Sequence, residues 1–453
     1  MYTDKCIEWR REKMPSIAVI GTQWGDEGKA KIVDLLAKNA DAVVRTSGGN
    51  KAGHSVAING MEYRFSSIPC GIIYPNVLGI LGNGTAINPE ELLQELDQLK
   101  AQGLSVDQVK ISIRAHLVMP YHIILDGLMD EARENEDDGD PAGARRGIRP
   151  CYMDKLERIG IRVCDLLQPK VFAQKVRANV ALKNRMITRV YGGVQQVDAE
   201  ETIEKYLRYG EQLKPYIADT GYLLDQMLQE GKRVIFEGAQ ATMLDPDYGT
   251  YPYVTSSQPT IGGVAGGCGV GMNKITHTLG VMKAYTTRNG RGPFPTEIFG
   301  REGYDLKDRG DEVEPNGSYR RIGWFDAVAA RYAVRVNGLE GLALTKMNAM
   351  RDLKEVKICV AYKHGDEIIR VFPSCAEVLA ECEPVYETLP GWGQLEGCNS
   401  YEELPREAKA YVDRIEELTG APVMVLEMGL GRNKIVSWGP VNQWLQDKEA
   451  SEC

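Results

Sequence analysis

Short apolar runs alternate with amphipathic segments along most of the chain. The apolar runs are rich in β-branched and aliphatic residues and have the length of buried strands: Ser16–Ile20, Ala42–Arg45, Leu78–Leu81, Val234–Glu237, Leu342–Lys346 and Val423–Glu427. Segments with apolar residues at helical spacing lie between them, among them Pro89–Gln102, Ala199–Glu230 and Trp324–Asn337. This alternation predicts an α/β fold with a mostly parallel central sheet and helices on both faces.

The composition agrees with one large folded unit. The chain has 453 residues, of which 43% are hydrophobic and 26% are charged, as in ordinary globular proteins. No Pro- or Ser-rich linker divides it, so we predict a single α/β domain with insertions over residues 14–453. Residues 1–13 are polar and charged, and we predict that they form an N-terminal extension before an alternative start at Met14.

Charge and residue counts exclude several classes of protein. The formal net charge of −9 argues against a general nucleic-acid surface, and no apolar run approaches the roughly 20 residues of a membrane span. The 10 cysteines contain no Cys-x2-Cys pair, and the 5 histidines do not pair at helical metal-ligand spacing. We therefore expect a cytoplasmic protein with reduced thiols and without a histidine-based metal site.

The first apolar run leads directly into a glycine-rich loop with charged side chains. Residues 21 to 31 read Gly-Thr-Gln-Trp-Gly-Asp-Glu-Gly-Lys-Ala-Lys, and a helical pattern follows. A strand, a glycine-rich turn and a helix N-terminus direct backbone N–H groups to one point, which suits a phosphate. The residues do not have P-loop spacing, and an ordinary tight turn would use the same glycines. Lys29 adds a mobile positive charge, and Asp26 or Glu27 supplies a carboxylate for Mg²⁺ or for proton transfer.

Two further loops follow predicted strands. Residues 47–55 are again glycine-rich and include His54, which is either a structural hydrogen-bonding residue or, at the carboxyl end of a strand, part of a ligand site. Residues 236–257 combine a strand, a Gly turn and a hydroxyl-rich loop. That loop either binds a base edge and a phosphate or is a strand exit with a Ser/Thr cap.

Basic and polar motifs lie later in the chain. Arg320 and Arg321 suit bidentate capture of a carboxylate or phosphate, although such a pair is more often solvated surface. Residues 344–348, Leu-Thr-Lys-Met-Asn, close an apolar strand in a way that suits a purine base, although so short a match is weak when isolated. The polar segments Glu134–Arg149 and Asp308–Arg321 are either solvated connections or substrate lids.

Together these motifs resemble the adenylosuccinate synthetase family over residues 16–437. The family pattern includes Gly-Asp-Glu-Gly-Lys, Ala-Gly-His, Arg-Ala-His and Glu-Gly-Ala-Gln, each of which occurs here in order. The blocks Lys283–Arg288, Gly292–Glu297 and Leu389–Trp392 match as well. The resemblance implies a P-loop-like, GTPase-related ligase fold and a homodimer that joins aspartate to IMP with GTP and Mg²⁺.

The resemblance also implies roles for individual residues. Asp26 would take the N1 proton of the hypoxanthine ring so that the 6-oxygen attacks the γ-phosphate, with His54 donating a hydrogen bond. Asp26 and the Gly53 carbonyl would hold Mg²⁺, and Lys29 would stabilise the transferring phosphoryl group. Gln240 is carried over as a further catalytic residue, and the amino group of aspartate would finally displace phosphate at C6.

The other binding residues are carried over in the same way. The nucleotide-binding positions are Gly25, Glu27, Gly28, Ala30, Lys31, Ser55, Arg320, Lys346, Asn348 and Gly429. The substrate-binding positions are Lys51, Ala144, Arg158, Leu244, Thr255, Asn316 and Ser318. Arg158 matches an arginine that reaches into the neighbouring subunit's site. The partners implied are small molecules and a second copy of the chain, with no nucleic acid and no membrane.

Several of these positions depart from the family pattern. Ala30 replaces a glycine, Lys51 replaces an asparagine, and Ala144 stands where the family has a phosphate-binding threonine. Ser318 replaces an arginine of the aspartate loop, and Asn348 replaces the aspartate that reads guanine. An amide has one acceptor and one donor, which suits the edge of adenine better than that of guanine.

These departures leave alternatives beside the main interpretation. The first is a divergent paralog that ligates an amino acid to a different 6-oxopurine nucleotide, with ATP in place of GTP as phosphoryl donor. The second is a non-catalytic nucleotide-binding protein on the same fold. The retained acid–base pair of Asp26 and His54 argues against the second alternative.

Overall fold

The computed structural model describes residues 16–50, 54–58, 61–134, 145–288, 290–312, 320–395, 397–429 and 434–446. The strands are β1 Ser16–Gly21, β2 Ala42–Gly48, β3 His54–Ile58, β4 Met61–Phe65, β5 Leu78–Ile87, β6 Val109–Ser112, β7 His116–Leu117, β8 Ile217–Ala218, β9 Val234–Glu237, β10 His277–Lys283, β11 Thr286–Arg288, β12 Arg321–Gly323, β13 Phe325–Asp326, β14 Gly341–Thr345, β15 Glu355–His364, β16 Glu367–Ile369, β17 Glu383–Pro390, β18 Val423–Glu427 and β19 Ile435–Ser437.

The α-helices are distributed along the whole described chain. They are α1 Lys29–Ala37, α2 Pro89–Ala101, α3 Pro120–Glu134, α4 Ile148–Glu157, α5 Val163–Leu166, α6 Pro169–Arg185, α7 Ala199–Leu213, α8 Thr220–Gln229, α9 Ile261–Cys268, α10 Gly300–Gly310, α11 Ala327–Asn337, α12 Ala376–Ala380, α13 Arg406–Thr419 and α14 Gly439–Gln446. None of the described helices is long and apolar enough to cross a membrane.

An 11-stranded sheet forms the centre of the molecule. Its order is β19-β18-β14-β10-β1-β9-β2-β5-β6-β8, with β7 paired to β5. Every pairing along it is parallel except that of β18 with β19. The first strand of the chain therefore lies in the middle of the sheet, between β9 and β10. This arrangement confirms the predicted α/β class and its mostly parallel sheet.

Both faces of this sheet are buried. Along β1, Ile17 and Val19 belong to one hydrophobic core, whereas Ala18 and Ile20 belong to the core on the opposite face. Successive side chains of a strand point to opposite faces, so a strand covered on both sides needs apolar residues at every position. This requirement explains why the strands appear in the sequence as continuous apolar runs without alternation.

Two predicted helices have different bounds in the structure. The segment 199–230 is not one helix, because α7 ends at Leu213 and α8 begins at Thr220. Pro215 follows α7, and Asp219 starts α8 by accepting a hydrogen bond from the Tyr222 N–H. The segment predicted from Trp324 becomes helical only at Ala327, because β13 pairs with β15 and Asp326 caps α11.

Asp326 is the fully buried N-cap of α11. Its carboxylate accepts hydrogen bonds from the backbone N–H groups of Val328 and Ala329 and from the Tyr362 hydroxyl. Burial raises the pKa of Asp326 from 3.8 to about 6, although these hydrogen bonds act in the opposite direction. The folded state therefore binds this proton more tightly than the unfolded chain does.

We predict that Asp326→Asn makes unfolding less dependent on pH. In the native protein this carboxyl costs stability as the pH rises from about 4 to about 6, by at most about 3 kcal/mol. Asparagine keeps an oxygen for the helix cap and does not titrate. Urea unfolding of both proteins between pH 5 and pH 8 should show that the free energy of unfolding falls less with rising pH in the variant than in the native protein. Parallel curves for the two proteins would contradict the assignment.

Candidate active site

The loops singled out in the sequence meet at one edge of the central sheet. The strands β9, β1, β10, β14 and β18 are neighbours or near neighbours in parallel, so their carboxyl ends lie side by side. The glycine-rich loop leaves β1, the loop with Gln240 leaves β9, Lys346 follows β14 and Gly429 follows β18. Ligands of open α/β sheets bind at this edge.

Glu27 lies inside the glycine-rich loop, residues 21–28, here called the phosphate loop. Its carboxylate is fully buried, and one oxygen accepts the backbone N–H groups of Gln23 at 3.1 Å and Gly25 at 2.9 Å. The other oxygen lies 2.5 Å from the Lys29 ammonium, which is itself 7% exposed. Lys29 is therefore fixed, and the prediction of a mobile positive charge is wrong for the described state. The Glu27 side chain shapes the loop from within.

The phosphate loop ends at a helix N-terminus that has no side-chain cap. Gly28 is the N-cap of α1 with φ of 87°, and Gly25 and Asp26 also have positive φ values of 93° and 58°. Because glycine has no side chain to accept them, the first N–H groups of α1 remain suited to an anion. No acidic residue lies in the first turn of α1.

Gln240 and Leu244 pack against the phosphate loop from the β9 side. A Cβ atom at Gly21 would lie 2.5 Å from the Gln240 carbonyl oxygen, and one at Gly25 would lie 3.6 Å from Leu244 Cδ1. Thr255 is joined to this group because its N–H donates to the Leu244 carbonyl at 2.8 Å. The structure thus brings these three predicted residues beside the phosphate loop.

Asp26 is the partly exposed carboxylate of the phosphate loop. Its carboxylate oxygen lies 3.0 Å from Arg320 Nε, with 41% of the Asp26 side chain exposed. Arg320 also contacts Glu312, with 3.1 Å between Arg320 Nη1 and Glu312 Oε2. Asp26 is therefore a partly exposed carboxylate, and it lies next to Arg320, an arginine predicted to bind a carboxylate or phosphate.

The ends of β14 and β18 form a second cluster next to α1. Glu427 accepts from the Lys31 ammonium at 2.7 Å and from the backbone N–H of Lys346 at 3.2 Å. The Lys31 ammonium also donates to the Gly429 carbonyl. Asn348 is 7% exposed, and its side-chain oxygen accepts from the Leu395 N–H at 3.2 Å. These bonds bring Lys31, Lys346 and Gly429 together around Glu427, and Asn348 lies two residues beyond Lys346.

Arg145, which precedes α4, and Arg149, in the first turn of α4, have acidic partners. Arg149 contacts Asp126 at 3.1 Å and Asp130 at 2.8 Å, and Arg145 contacts Glu131 at 3.3 Å. Their charge is therefore compensated within the chain. Arg158 is exposed at the end of α4 with a φ of 69°.

The structure leaves part of the predicted site undescribed. Lys51, Gly53, Ala144, Asn316 and Ser318 lie outside the described residues, as does most of the segment predicted to be a lid before α4. His54 and Ser55 begin β3, but their side chains also lie outside what is described. Ala30 is part of α1.

Three further residues of this site were not singled out from the sequence. The Gln23 side chain accepts from the Lys283 N–H at 3.0 Å and donates to the Tyr285 carbonyl at 2.9 Å, which ties the phosphate loop to the end of β10. Lys283 and Glu312 form a buried ion pair of 2.6 Å behind Arg320. Each of the last two lies in a segment noted in the sequence: Lys283 opens the matching family block Lys283–Arg288, and Glu312 lies in the polar segment Asp308–Arg321.

This geometry is that of a phosphate-binding α/β protein, in which a glycine-rich loop leads into an uncapped helix N-terminus at the carboxyl edge of the sheet. A family model described as adenylosuccinate synthetase matches residues 18–436. The chain therefore belongs to the adenylosuccinate synthetase family, the C–N ligases that use GTP and Mg²⁺ to join aspartate to IMP. The predicted family, fold class and ligase activity are confirmed, and the alternative of a divergent paralog is not favoured.

Individual relatives agree over nearly the whole chain. The adenylosuccinate synthetase of Thermoanaerobacter pseudethanolicus is 49% identical over 425 residues, which cover 93% of this chain and 99% of that protein. That of Heliobacterium modesticaldum is 48% identical over 428 residues, with coverage of 94% and 99%. The structure of fully ligated adenylosuccinate synthetase from Plasmodium falciparum superimposes with a TM-score of 0.87 at 34% identity and covers 94% of this chain and 100% of that one.

We predict that Gly21→Ala severely reduces turnover, because its Cβ would collide with the Gln240 carbonyl oxygen and with the Glu27–Lys29 pair at 2.5–2.7 Å. We expect kcat/KM for GTP to fall by about 100-fold or more, as for a small misplacement of reacting groups. Gly266→Ala on the exposed side of α9 is the matched control, since nothing lies within 4 Å of its Cβ position. Equal activity of the two variants would contradict the close packing described here.

Proposed function

We propose that the phosphate loop and Arg320 together build the site in which aspartate is joined to the 6-position of IMP. The reaction converts GTP to GDP and phosphate and gives adenylosuccinate as its product. It is a step of AMP biosynthesis. The single observation that carries the assignment of roles is the partly exposed Asp26 carboxylate, held 3.0 Å from Arg320 where the phosphate loop opens.

The reaction divides into two transfers. Asp26 accepts the N1 proton of IMP, which leaves electron density on the 6-oxygen for attack on the γ-phosphorus of GTP, and GDP departs. The amino nitrogen of aspartate then attacks C6, and the 6-oxygen leaves as part of inorganic phosphate. Arg320 is placed to hold a carboxylate of the incoming aspartate beside Asp26.

The phosphoryl group would lie at the α1 N-terminus. The uncapped N–H groups of α1 supply positive charge there, and the ammonium of Lys29, the first residue of α1, is held by Glu27. Gln240 faces the loop from β9. We include His54 as the donor to the developing phosphate charge, on the strength of the family pattern.

The residues present fit a magnesium ion. Mg²⁺ binds through one or two carboxylates together with substrate phosphates, and Asp26 offers a partly exposed carboxylate at the phosphate loop. Asp26 and the Gly53 carbonyl would hold the ion. When bound, Mg²⁺ neutralises phosphate oxygens of the triphosphate.

We propose that the cluster at the ends of β14 and β18 holds the guanine nucleotide. Glu427 holds the Lys31 ammonium and the Lys346 N–H there. The proposed contacts to the base are the stem of Lys346, the Asn348 amide and the backbone at Gly429. Gly25, Glu27, Gly28, Ala30 and Ser55 complete the proposed nucleotide contacts. The IMP and aspartate contacts proposed are Lys51, Ala144, Leu244, Thr255, Asn316 and Ser318.

We further propose a homodimer in which Arg158 completes the partner's site. Arg158 is exposed at the end of α4, and Met153 and Leu156 of the same helix are 46% and 79% exposed. Exposed apolar side chains next to a functional arginine suit an interface between subunits. Residues 14–453 would act as one domain of a cytoplasmic enzyme.

The direct test of this function is formation of adenylosuccinate by the purified protein. IMP, aspartate, GTP and Mg²⁺ together should give the succinylated nucleotide, GDP and phosphate in equal amounts, and omission of any substrate should stop the reaction. Asp26→Asn should lower kcat by about 1,000-fold or more because the base and a proposed metal ligand are lost. Asp97→Asn, on a side chain that is 78% exposed, should remain fully active. Absence of product with the native protein would overturn the proposal.

We predict that Asn348→Asp strengthens GTP binding. A carboxylate accepts from both N1–H and N2–H₂ of guanine, whereas the amide oxygen of Asn348 already accepts from the Leu395 N–H. A charge-assisted hydrogen bond should lower the KM for GTP by about 10-fold. Steady-state kinetics with GTP and ATP measure the effect. A KM for GTP that stays the same or rises would show that this residue does not read the base.

The crossing of Arg158 is tested by subunit complementation. Asp26→Asn and Arg158→Ala should each be nearly inactive as homodimers. A heterodimer of one chain of each, purified through two different tags, contains one complete site and should show about half of the native activity. An inactive heterodimer would place Arg158 in its own subunit's site, and failure to isolate any heterodimer would contradict the dimer itself.

A further inference from the structure

Glu312 is a buried carboxylate that the mechanism above does not use. It follows α10 and directly precedes residues 313–319, which lie outside the described residues and lead to Arg320. Its side chain is 1% exposed, although a glutamate is rarely buried without a specific reason. Its backbone carbonyl accepts from the Arg320 N–H at 3.1 Å, so the two residues are joined through main chain and side chain.

Three groups surround this carboxylate. Oε1 accepts from the Lys283 ammonium and the Tyr285 hydroxyl, both at 2.6 Å, and Oε2 lies 3.1 Å from Arg320 Nη1. Burial acts to raise the pKa of Glu312, but the Lys283 ammonium and the hydrogen bonds outweigh it and hold the pKa below its usual range. The carboxylate is therefore ionised at neutral pH.

The fixed carboxylate determines where the Arg320 guanidinium lies. Lys283 is the last residue of β10 in the central sheet, and its ammonium also donates to the Thr287 hydroxyl of β11 at 2.8 Å, so the cation of the pair is anchored to two strands. Asp26 contacts the same guanidinium from the phosphate loop at 3.0 Å. The charges thus alternate in the order Lys283, Glu312, Arg320, Asp26, from the buried sheet to the partly exposed carboxylate.

We propose that Glu312 is the positioning residue of the amino-acid subsite: held by its ion pair with Lys283, it keeps the Arg320 guanidinium beside Asp26, where a carboxylate of the incoming amino acid binds. This inference rests on the proposed function and extends it to a residue that does not touch the substrate. Without Glu312 the long Arg320 side chain loses its fixed orientation and must be ordered by the substrate itself.

Glu312→Gln tests the proposal by separating amino-acid binding from nucleotide binding. The KM for aspartate should rise about 10- to 100-fold, as expected for a lost charge-assisted contact, while the KM values for GTP and IMP change by less than about 3-fold. An unchanged KM for aspartate in an active Glu312→Gln enzyme would overturn the inference and leave the proposed function intact. A native protein that forms no adenylosuccinate would overturn the proposed function first.

A second variant distinguishes positioning from simple loss of stability. Glu312→Gln leaves the Lys283 ammonium buried without its partner, which is strongly destabilising. The double variant Lys283→Met with Glu312→Gln removes both charges, so its melting temperature should recover towards the native value. The KM for aspartate should stay raised in the double variant, because Arg320 still lacks its carboxylate. If the melting temperature and the KM for aspartate both returned to their native values in the double variant, the role of Glu312 would be purely structural.

Tyr285→Phe is the matched control. It removes one neutral donor from Glu312 Oε1 and leaves the ion pairs with Lys283 and Arg320 in place. We expect a lower melting temperature with a KM for aspartate within about 2-fold of the native value. A KM that rises as far as in Glu312→Gln would show that general loosening of the core, and not the Glu312 charge, controls the subsite.

Discussion

One buried carboxylate determines the shape of the catalytic loop. Glu27 turns inward, accepts two loop N–H groups and pairs with Lys29, so the left-handed turns at Gly25, Asp26 and Gly28 are held from within. Because a charge in a dry interior is costly unless it is paired and hydrogen-bonded, this arrangement has few alternatives.

The loop in turn depends on the position of β1 in the sheet. β1 lies between β9 and β10, and the loop that follows it is bonded on both sides. The Thr242 hydroxyl, from the segment after β9, donates to the Gly21 carbonyl, and the Gln23 side chain forms hydrogen bonds with the end of β10. The Thr345 hydroxyl, from β14, donates to the Glu27 carbonyl at 2.6 Å. The phosphate loop is therefore fixed to three neighbouring strands. Proposed nucleotide, IMP and aspartate contacts from different strands meet around it.

The sequence was sufficient for those features that local pattern determines. Strands buried on both faces leave continuous apolar runs, so β1, β9 and β18 were found almost to the residue. A glycine-rich turn before a helix indicated the phosphate loop because its backbone requirements are local. The family motifs then predicted that Asp26, Gln240, Arg320 and Lys346 belong to one active site, and the fold brings them to one edge of the sheet.

Features that depend on tertiary partners could not be predicted in this way. Nothing in the sequence around Lys29 shows that Glu27 will pair with it. The role of Glu312 depends on Lys283 and Arg320, which are brought close to it only by the fold. The break between α7 and α8 was missed because amphipathic spacing continues through it, while Pro215 and the Asp219 cap interrupt the helix. The compensation of Arg149 by Asp126 and Asp130 likewise joins two separate helices.

The central claim is that the γ-phosphoryl group of GTP passes to the 6-oxygen of IMP beside Asp26. The most direct test uses IMP labelled with ¹⁸O at the 6-position, with mass analysis of the phosphate released during adenylosuccinate formation. The account predicts that each released phosphate carries one ¹⁸O atom from IMP. Unlabelled phosphate formed in step with adenylosuccinate would contradict it, because the 6-oxygen would then have left C6 without passing through phosphate.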